Sequence, residues 1–177
     1  LSAPRAGWNQ LASGDVNSDG CQDVLAMWGQ YYYPPAFTVY EGDCQGGFER
    51  QDVHWPENFQ ERIGSAIAIG DVTGDSVNDV VVSNGRNVPR GEVYIWEQPD
   101  HGLQYSGAFQ AYDVVESLDF ADVNCDGRDD LVATNAGWHS FSWWPITSEG
   151  IGNYVVERHP FYFSHVGPNG AEMADVD

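Results

Sequence analysis

Oxygen-bearing side chains recur at alternate positions in the segment DVNSDGCQD, which runs from Asp15 to Asp23. Counted from Asp15, they occupy positions 1, 3, 5 and 9, while Gly20 at position 6 permits a sharp turn. This pattern is typical of a loop that binds a hard cation of the size of calcium, which prefers carboxylate, amide and carbonyl oxygens. The ligands predicted for this first loop are Asp15, Asn17, Asp19, the backbone carbonyl of Cys21, and Asp23.

Two later segments, DVTGDSVND and DVNCDGRDD, repeat the arrangement and begin at Asp71 and Asp122. The second segment departs from the pattern, because Ser76 stands at position 6 and Thr73, a weaker ligand, stands at position 3. We therefore expect three calcium ions, one per loop, with the second loop binding least tightly. The ligands predicted for these loops are Asp71, Thr73, Asp75, the carbonyl of Val77 and Asp79, and then Asp122, Asn124, Asp126, the carbonyl of Arg128 and Asp130.

A helix-flanked calcium loop needs an acid at position 12, where this chain has Ala26, Val82 and Ala133. The residues that follow position 9 are instead typical of strands, so each loop is predicted to join two strands. An Asx-rich turn without metal is the alternative interpretation. Calcium is favoured because three such loops occur in register, and their clustered carboxylates would repel one another without a cation. The predicted role of the ion is structural, because every predicted ligand belongs to the loop that the ion would stabilise.

The three segments are parts of a longer repeat with a period of roughly 50 residues. Each repeat contains about four short apolar runs broken by Gly, Asn, Asp and Pro, which predicts an all-β chain with one four-stranded antiparallel blade per repeat. We expect one partial β-propeller domain over residues 1–177, made of about three blades and the start of a fourth. The repeats are placed at roughly 7–56, 63–113 and 114–166, with a truncated fourth from 171.

The chain carries a formal net charge of −20, from 27 acidic residues against 7 Lys and Arg. Nucleic acids and anionic membranes are bound by basic surfaces, so the charge excludes a nucleic-acid partner. No apolar run reaches the roughly 20 residues that cross a bilayer, so we expect no membrane insertion. The partners predicted below are therefore carbohydrates or proteins.

The motif Asp-x-Asx-x-Asp-Gly-x-x-Asp followed by an apolar strand resembles the FG-GAP or VCBS repeat of integrin-α-like β-propellers. The stretch HSFSWWPITSEGIGNYVVERH is similar to the remainder of that repeat. The resemblance covers almost the whole chain and implies about seven blades, calcium in the loops between strands 1 and 2, and an extracellular or cell-surface location. Since three blades and a stub cannot close a ring, we expect the chain to belong to a larger propeller. Self-association of an open arc is the alternative.

The chain has three cysteines, and two of them fall in turns that an antiparallel blade places at the same end. Cys21 lies in the first loop, and Cys44 lies in the turn between strands 3 and 4. We predict a disulfide between them, as in proteins of oxidising compartments, with two free thiols as the alternative. Cys125 then has no partner within the chain.

The loops between strands 2 and 3 emerge at the opposite end and differ most among the repeats. Their aromatic and polar side chains are suited to binding a sugar or a protein, although such aromatics also occur as ordinary loop packing. We therefore predict a calcium-stabilised recognition or adhesion module. One alternative is the propeller of a carbohydrate-active enzyme, of the polysaccharide lyase or sugar dehydratase type, with a site at the channel mouth. Another alternative is a structural spacer. The candidate ligand-binding residues are Tyr31, Tyr32, Tyr33, Arg86, Asn87, Arg90, Trp138 and His139.

Overall fold

A computed structural model of the chain describes residues 8–28, 36–57, 59, 64–87, 89–99, 102–136 and 140–158. These residues form three four-stranded antiparallel sheets and one two-stranded hairpin, with no helix among them. The candidates Tyr31, Tyr32, Tyr33, Trp138 and His139 lie outside the described residues, as does the fourth repeat predicted from residue 171. The prediction of an all-β chain with four-stranded antiparallel sheets is confirmed.

Each sheet is built from consecutive strands, apart from the hairpin inserted in the third. Sheet 1 consists of β1 (Trp8–Gly14), β2 (Asp23–Trp28), β3 (Phe37–Gly42) and β4 (Phe48–Val53). Sheet 2 consists of β5 (Ala66–Gly70), β6 (Asp79–Ser83), β7 (Glu92–Glu97) and β8 (Gln104–Gln110). Sheet 3 consists of β9 (Val115–Ala121), β10 (Asp130–Asn135), β11 (Ser140–Trp144) and β14 (Val155–Arg158). The hairpin pairs β12 (Ile146–Thr147) with β13 (Gly150–Ile151) and was not predicted from the sequence.

Burial differs most between the second and the fourth strands of the sheets. The second strands β6 and β10 are buried at every position, as expected for strands covered on both faces. Their β-branched and aliphatic residues suit such a position. The fourth strands β4 and β8 are almost entirely exposed or half-buried and carry polar side chains. Each sheet therefore has an inner and an outer edge.

The described apolar side chains form two core clusters, and each lies between neighbouring sheets. Phe37 and Trp96 meet edge-to-face at 5.3 Å in the cluster between sheets 1 and 2. Trp144 and Leu131 belong to the cluster between sheets 2 and 3. Because no single sheet can bury both of its faces, this stacking supplies the core of the molecule.

The inner strands β1, β5 and β9 lie side by side, and one side chain connects all three sheets. Gln10 in β1 accepts a hydrogen bond from the Ile67 amide at 3.2 Å and donates one to the Glu116 carbonyl at 2.6 Å. Close packing adds to this contact, since a Cβ built on Gly70 would lie 2.5 Å from the Phe120 ring. Stacked four-stranded sheets whose first strands adjoin form a propeller-like arrangement.

Candidate functional site

The three Asp-rich loops, 15–23, 71–79 and 122–130, share one backbone conformation. In each loop the residues at positions 4 and 6 have positive φ, which favours glycine. One glycine and one non-glycine residue occupy these two positions in every loop. The residues and their φ angles are Ser18 (60°) and Gly20 (85°), Gly74 (81°) and Ser76 (71°), and Cys125 (61°) and Gly127 (86°).

The carboxylate at position 1 organises each loop by accepting hydrogen bonds from backbone amides. Asp15 accepts the amides of Asp19 at 3.2 Å and Gly20 at 2.8 Å. Asp71 and Asp122 accept the amides at positions 5 and 6 of their own loops in the same way, at 2.7 to 3.1 Å. The acid at position 5 of each loop then accepts the amide at position 7. The loops are therefore equivalent in hydrogen bonding as well as in sequence.

The carboxylate at position 9 is buried in all three loops, and in the first and third loops it joins the loop to a later strand. Asp23 accepts the amide of Val16 at 2.9 Å with one oxygen and that of Gly42 in β3 at 2.9 Å with the other. Asp130 makes the corresponding bonds to Val123 and to Ile146. Sequence reasoning assigned this position only to the metal, whereas the structure gives it a role in joining the loop to a neighbouring strand.

Burial shifts the ionisation of two of these acids. It raises the pKa of Asp79 to about 6, although the amides of Thr73 and Val72 oppose the shift by stabilising the charged form. Burial also raises the pKa of Asp130, against similar hydrogen bonds. The folded chain therefore carries carboxylates that are costly to ionise in the absence of a compensating charge.

The donor types of the loops fit a hard cation, since carboxylates, an amide or hydroxyl, and a carbonyl are present in each. Among the described residues, however, no three His, Cys, Asp or Glu side chains are grouped around a common point that could hold a metal ion. The carboxylates at positions 1 and 5 are instead directed at loop amides. Each carboxylate oxygen has a second lone pair, so these bonds do not exhaust its acceptor capacity.

A contact with sheet 3 explains why the second loop has its glycine at position 4. A Cβ on Gly74 would collide with the carbonyl oxygen of Thr147 in the β12–β13 hairpin. Ser76, at position 6, is exposed and takes the positive φ that glycine takes in the other loops. Ser76 in place of glycine at position 6 was one of the two reasons to expect weaker binding by the second loop. The structure shows the same turn in all three loops, so that reason for weaker binding does not hold.

A hydrogen bond joins the first two loops to each other, and a disulfide anchors the first loop. Asn78, in the second loop, donates a hydrogen bond to the carbonyl oxygen of Asp15 at 2.8 Å. Cys21 and Cys44 form a disulfide that connects the first loop to the β3–β4 turn. Cys125, in the third loop, is an exposed free cysteine.

At the opposite end of sheet 2, Asn84 organises the connection between β6 and β7. Its side-chain amide donates to the Arg90 carbonyl at 2.8 Å, and its Oδ1 accepts the amides of Arg86 and Glu92 at 3.1 Å. The candidates Asn87 and Arg90 are exposed on this connection, and Arg86 is half-buried. These three candidates are therefore brought together on one loop.

A cleft of about 660 Å³ opens beside this connection, and sequence reasoning identified only one of its polar residues. Its wall combines aromatic rings from sheet 2 and from the segment before it with the carboxylate of Glu92. The sequence did not point to Tyr105, because its proximity to Phe59 depends on tertiary packing. The residues that define this Tyr105 cleft are Phe59, Asn84, Arg90, Glu92, Tyr94 and Tyr105.

Within the described part of the chain, no helix has the length and apolar character needed to cross a membrane. A search of curated proteins found no match. Residues 63–96, which include β5, the second Asp-rich loop, β6 and most of β7, match the family model of the FG-GAP repeat. This stretch thus confirms the resemblance on which the sequence analysis relied: the chain contains an FG-GAP repeat.

Proposed function

We propose that the chain is part of a larger, calcium-stabilised extracellular β-propeller that recognises a carbohydrate or a protein partner. The FG-GAP repeat and the three stacked four-stranded sheets support a propeller, a scaffold often used for adhesion and recognition. Three sheets do not close a ring, since propellers have about four to eight blades. The remaining blades would cover the outer faces of sheets 1 and 3.

The observation that carries the calcium proposal is the equivalence of the three Asp-rich loops. They share positive φ at positions 4 and 6, the same amides on the first acid, and a buried acid at position 9. A buried carboxylate that is costly to ionise gains most from a nearby cation. In each loop the side-chain oxygens at positions 1, 3, 5 and 9 and the carbonyl at position 7 would hold the ion, which would fix the connection between the first two strands.

Calcium titration of the full chain tests this role. We expect calorimetry to give about three equivalents, and calcium at a hundred times its Kd to stabilise the fold by about 2.7 kcal/mol per occupied site. Asp15→Asn, Asp71→Asn and Asp122→Asn should each remove one equivalent, because the amide loses the charge and one of the two oxygens, while the remaining oxygen still accepts a loop amide.

Asp43→Asn is the matched control for these variants. Asp43 also accepts backbone amides, those of Gln45 and Gly47, but it lies in the β3–β4 turn outside the loops. This variant should keep all the calcium of the parent chain. An unfolding temperature that does not respond to a chelator, together with no heat of calcium binding, would contradict the proposal.

Two observations support the location and the recognition surface. The disulfide between Cys21 and Cys44 is typical of proteins from oxidising compartments, which agrees with an extracellular or cell-surface location. Asn87 and Arg90 are exposed on a connection that Asn84 holds in a defined conformation. Loops on a repeated scaffold commonly carry binding residues, and a preorganised loop loses less entropy on binding.

A glycan array probed with the calcium-loaded chain, and again with a chelator, tests recognition. We expect binding that is weakened by the double substitution Arg86→Ala and Asn87→Ala, and unchanged by Gln45→Ala at the other end of the sheets. Absence of glycan binding in both conditions would contradict the carbohydrate form of the proposal. The alternative of a protein partner would then be tested by comparing the capture of that partner by the parent chain and by the same loop variants.

A further inference from the structure

The Tyr105 cleft contains a carboxylate that is held in place before any ligand arrives. The Tyr94 hydroxyl donates to Oε2 of Glu92 at 3.0 Å and accepts a hydrogen bond from the Asn84 amide at 3.2 Å. Asn84 is itself buried and fixed by the β6–β7 connection. Burial is the main cause that raises the pKa of Tyr94 to about 12, so its hydroxyl remains a donor at neutral pH. Glu92 is exposed at the end of this network.

One aromatic ring of the cleft offers its surface to solvent. Tyr105 is 36 % exposed, whereas Tyr94 is 4 % exposed. Phe59 contacts Tyr94 and Tyr105 edge-to-face, with centroids 4.9 and 5.2 Å apart, and Trp96 contacts Tyr105 in the same way at 5.7 Å. The Tyr105 ring is therefore held in place by its neighbours while it remains partly exposed. Glu92 lines the same cleft as Tyr105. Burial and then the charge of Glu92 raise the pKa of the Tyr105 hydroxyl. The cleft thus presents one stacking platform beside one fixed acceptor.

These features favour a neutral, polyhydroxylated ligand over a cation or an anion. A quaternary ammonium is usually enclosed by several exposed aromatic faces, whereas Tyr105 is the most exposed ring of this cleft. The positive charge of Arg90, which also lines the cleft, disfavours a cation. An anion would be repelled by Glu92 and by the net charge of −20. A sugar ring can stack its C–H face on Tyr105, donate hydroxyls to Glu92 and accept hydrogen bonds from Arg90.

We propose that the Tyr105 cleft binds one or two units of a neutral saccharide, with Tyr105 as the stacking platform and Glu92 as the orienting acceptor. This inference rests on the carbohydrate form of the proposed function and identifies its site on the flank of sheet 2, beside the loop that carries Arg86 and Asn87. The cleft volume of about 660 Å³ is within the range of small-molecule sites.

Calorimetry on the full chain tests the site with glucose, galactose, mannose, N-acetylglucosamine, cellobiose and lactose as probes, and with choline as the cationic competitor. We expect at least one sugar to bind. Tyr105→Leu, which keeps apolar volume but removes the flat ring, should weaken that binding about tenfold or more. Glu92→Gln, which keeps an acceptor for Tyr94 but removes the charge, should weaken it about tenfold.

Tyr154→Leu is the matched control, because Tyr154 is a similarly exposed tyrosine (39 %) immediately before β14. It should leave sugar binding unchanged, and near-ultraviolet circular dichroism should show that all variants are folded. If sugar binding survives both cleft substitutions but is lost in the Arg86→Ala and Asn87→Ala variant, the cleft is not the binding site, although the proposed function still holds. Absence of binding to every sugar overturns both the cleft and the carbohydrate form. Choline binding that Tyr105→Leu abolishes overturns the choice of a neutral ligand.

Discussion

Two different constraints act on the glycines of the Asp-rich loops. Gly20 and Gly127, at position 6 of their loops, have only the local constraint of a positive φ. A Cβ added to either residue would meet open space. Gly74 has the additional constraint of the Thr147 carbonyl in the neighbouring sheet. The two constraints predict different costs for the same substitution.

Gly74→Ala should destabilise the calcium-free chain more than Gly20→Ala. Both substitutions place a Cβ at positive φ, which costs about 1 kcal/mol, but Gly74→Ala must also displace the β12–β13 hairpin. We expect about 2 kcal/mol or more for Gly74→Ala from the steric term added to this strain, measured by urea denaturation with a chelator present. Equal losses in the two variants would show that the hairpin contact is unimportant.

At the scale of elements, cross-strand pairs fix how the exposed outer strands join the buried inner ones. Thr38 in β3 faces Asp52 in β4, and its hydroxyl donates to Asp52 at 2.6 Å. Arg50, on the same strand as Asp52, forms an ion pair with it at 2.9 Å. Partial burial raises the pKa of Asp52, but the bonds from Thr38 and Arg50 outweigh it and leave the pKa below the usual value.

Thr38→Val should raise the pKa of Asp52, because the charged form loses a hydrogen bond. Since the folded pKa is lowered, this pair stabilises the fold above the unfolded pKa of about 3.8, and the contribution is lost as the pH falls through the folded value. The variant should therefore lose less stability than the parent chain on acidification, as followed by carboxyl NMR titration and by unfolding.

Asp43 provides the internal control for that titration, because its lowered pKa is caused chiefly by the amides of Gln45 and Gly47. Its pKa should be the same in the parent chain and in Thr38→Val. An Asp52 titration that does not change would mean that Arg50 alone holds the carboxylate.

At the scale of the whole molecule, packing between the sheets supplies the buried apolar contacts. Both described core clusters lie between sheets, and hydrogen bonds near the inner strands add to this packing. Gln10 connects sheet 1 to sheets 2 and 3, and Ser65 donates to the Val115 carbonyl at 2.8 Å. The sheets are therefore expected to unfold together.

Gln10→Ala should destabilise the fold by about 1–3 kcal/mol, since it leaves the Ile67 amide and the Glu116 carbonyl without their partner. Gln104→Ala, in the exposed strand β8, is the control and should change stability by less than about 0.5 kcal/mol. Both are measured by urea denaturation. A loss of cooperativity in Gln10→Ala, with separate transitions for the sheets, would strengthen the inference, whereas identical curves for the two variants would contradict it.

The amino-acid sequence by itself determined the features that depend on neighbours along the chain. The alternation of Asp and Asn around a turn, the short apolar runs and the repeat length predicted the loops, the strands and the four-stranded sheets, because turn chemistry and strand propensity are local. In the second loop the glycine stands at position 4, where a Cβ would collide with the carbonyl oxygen of Thr147. Thr147 is distant in sequence, so the local pattern could not indicate this contact. The β12–β13 hairpin and the assembly of Phe59, Glu92 and Tyr105 into a cleft also depend on how the sheets and the segments between them pack. Such contacts join residues far apart in the chain, so only the tertiary structure could place them.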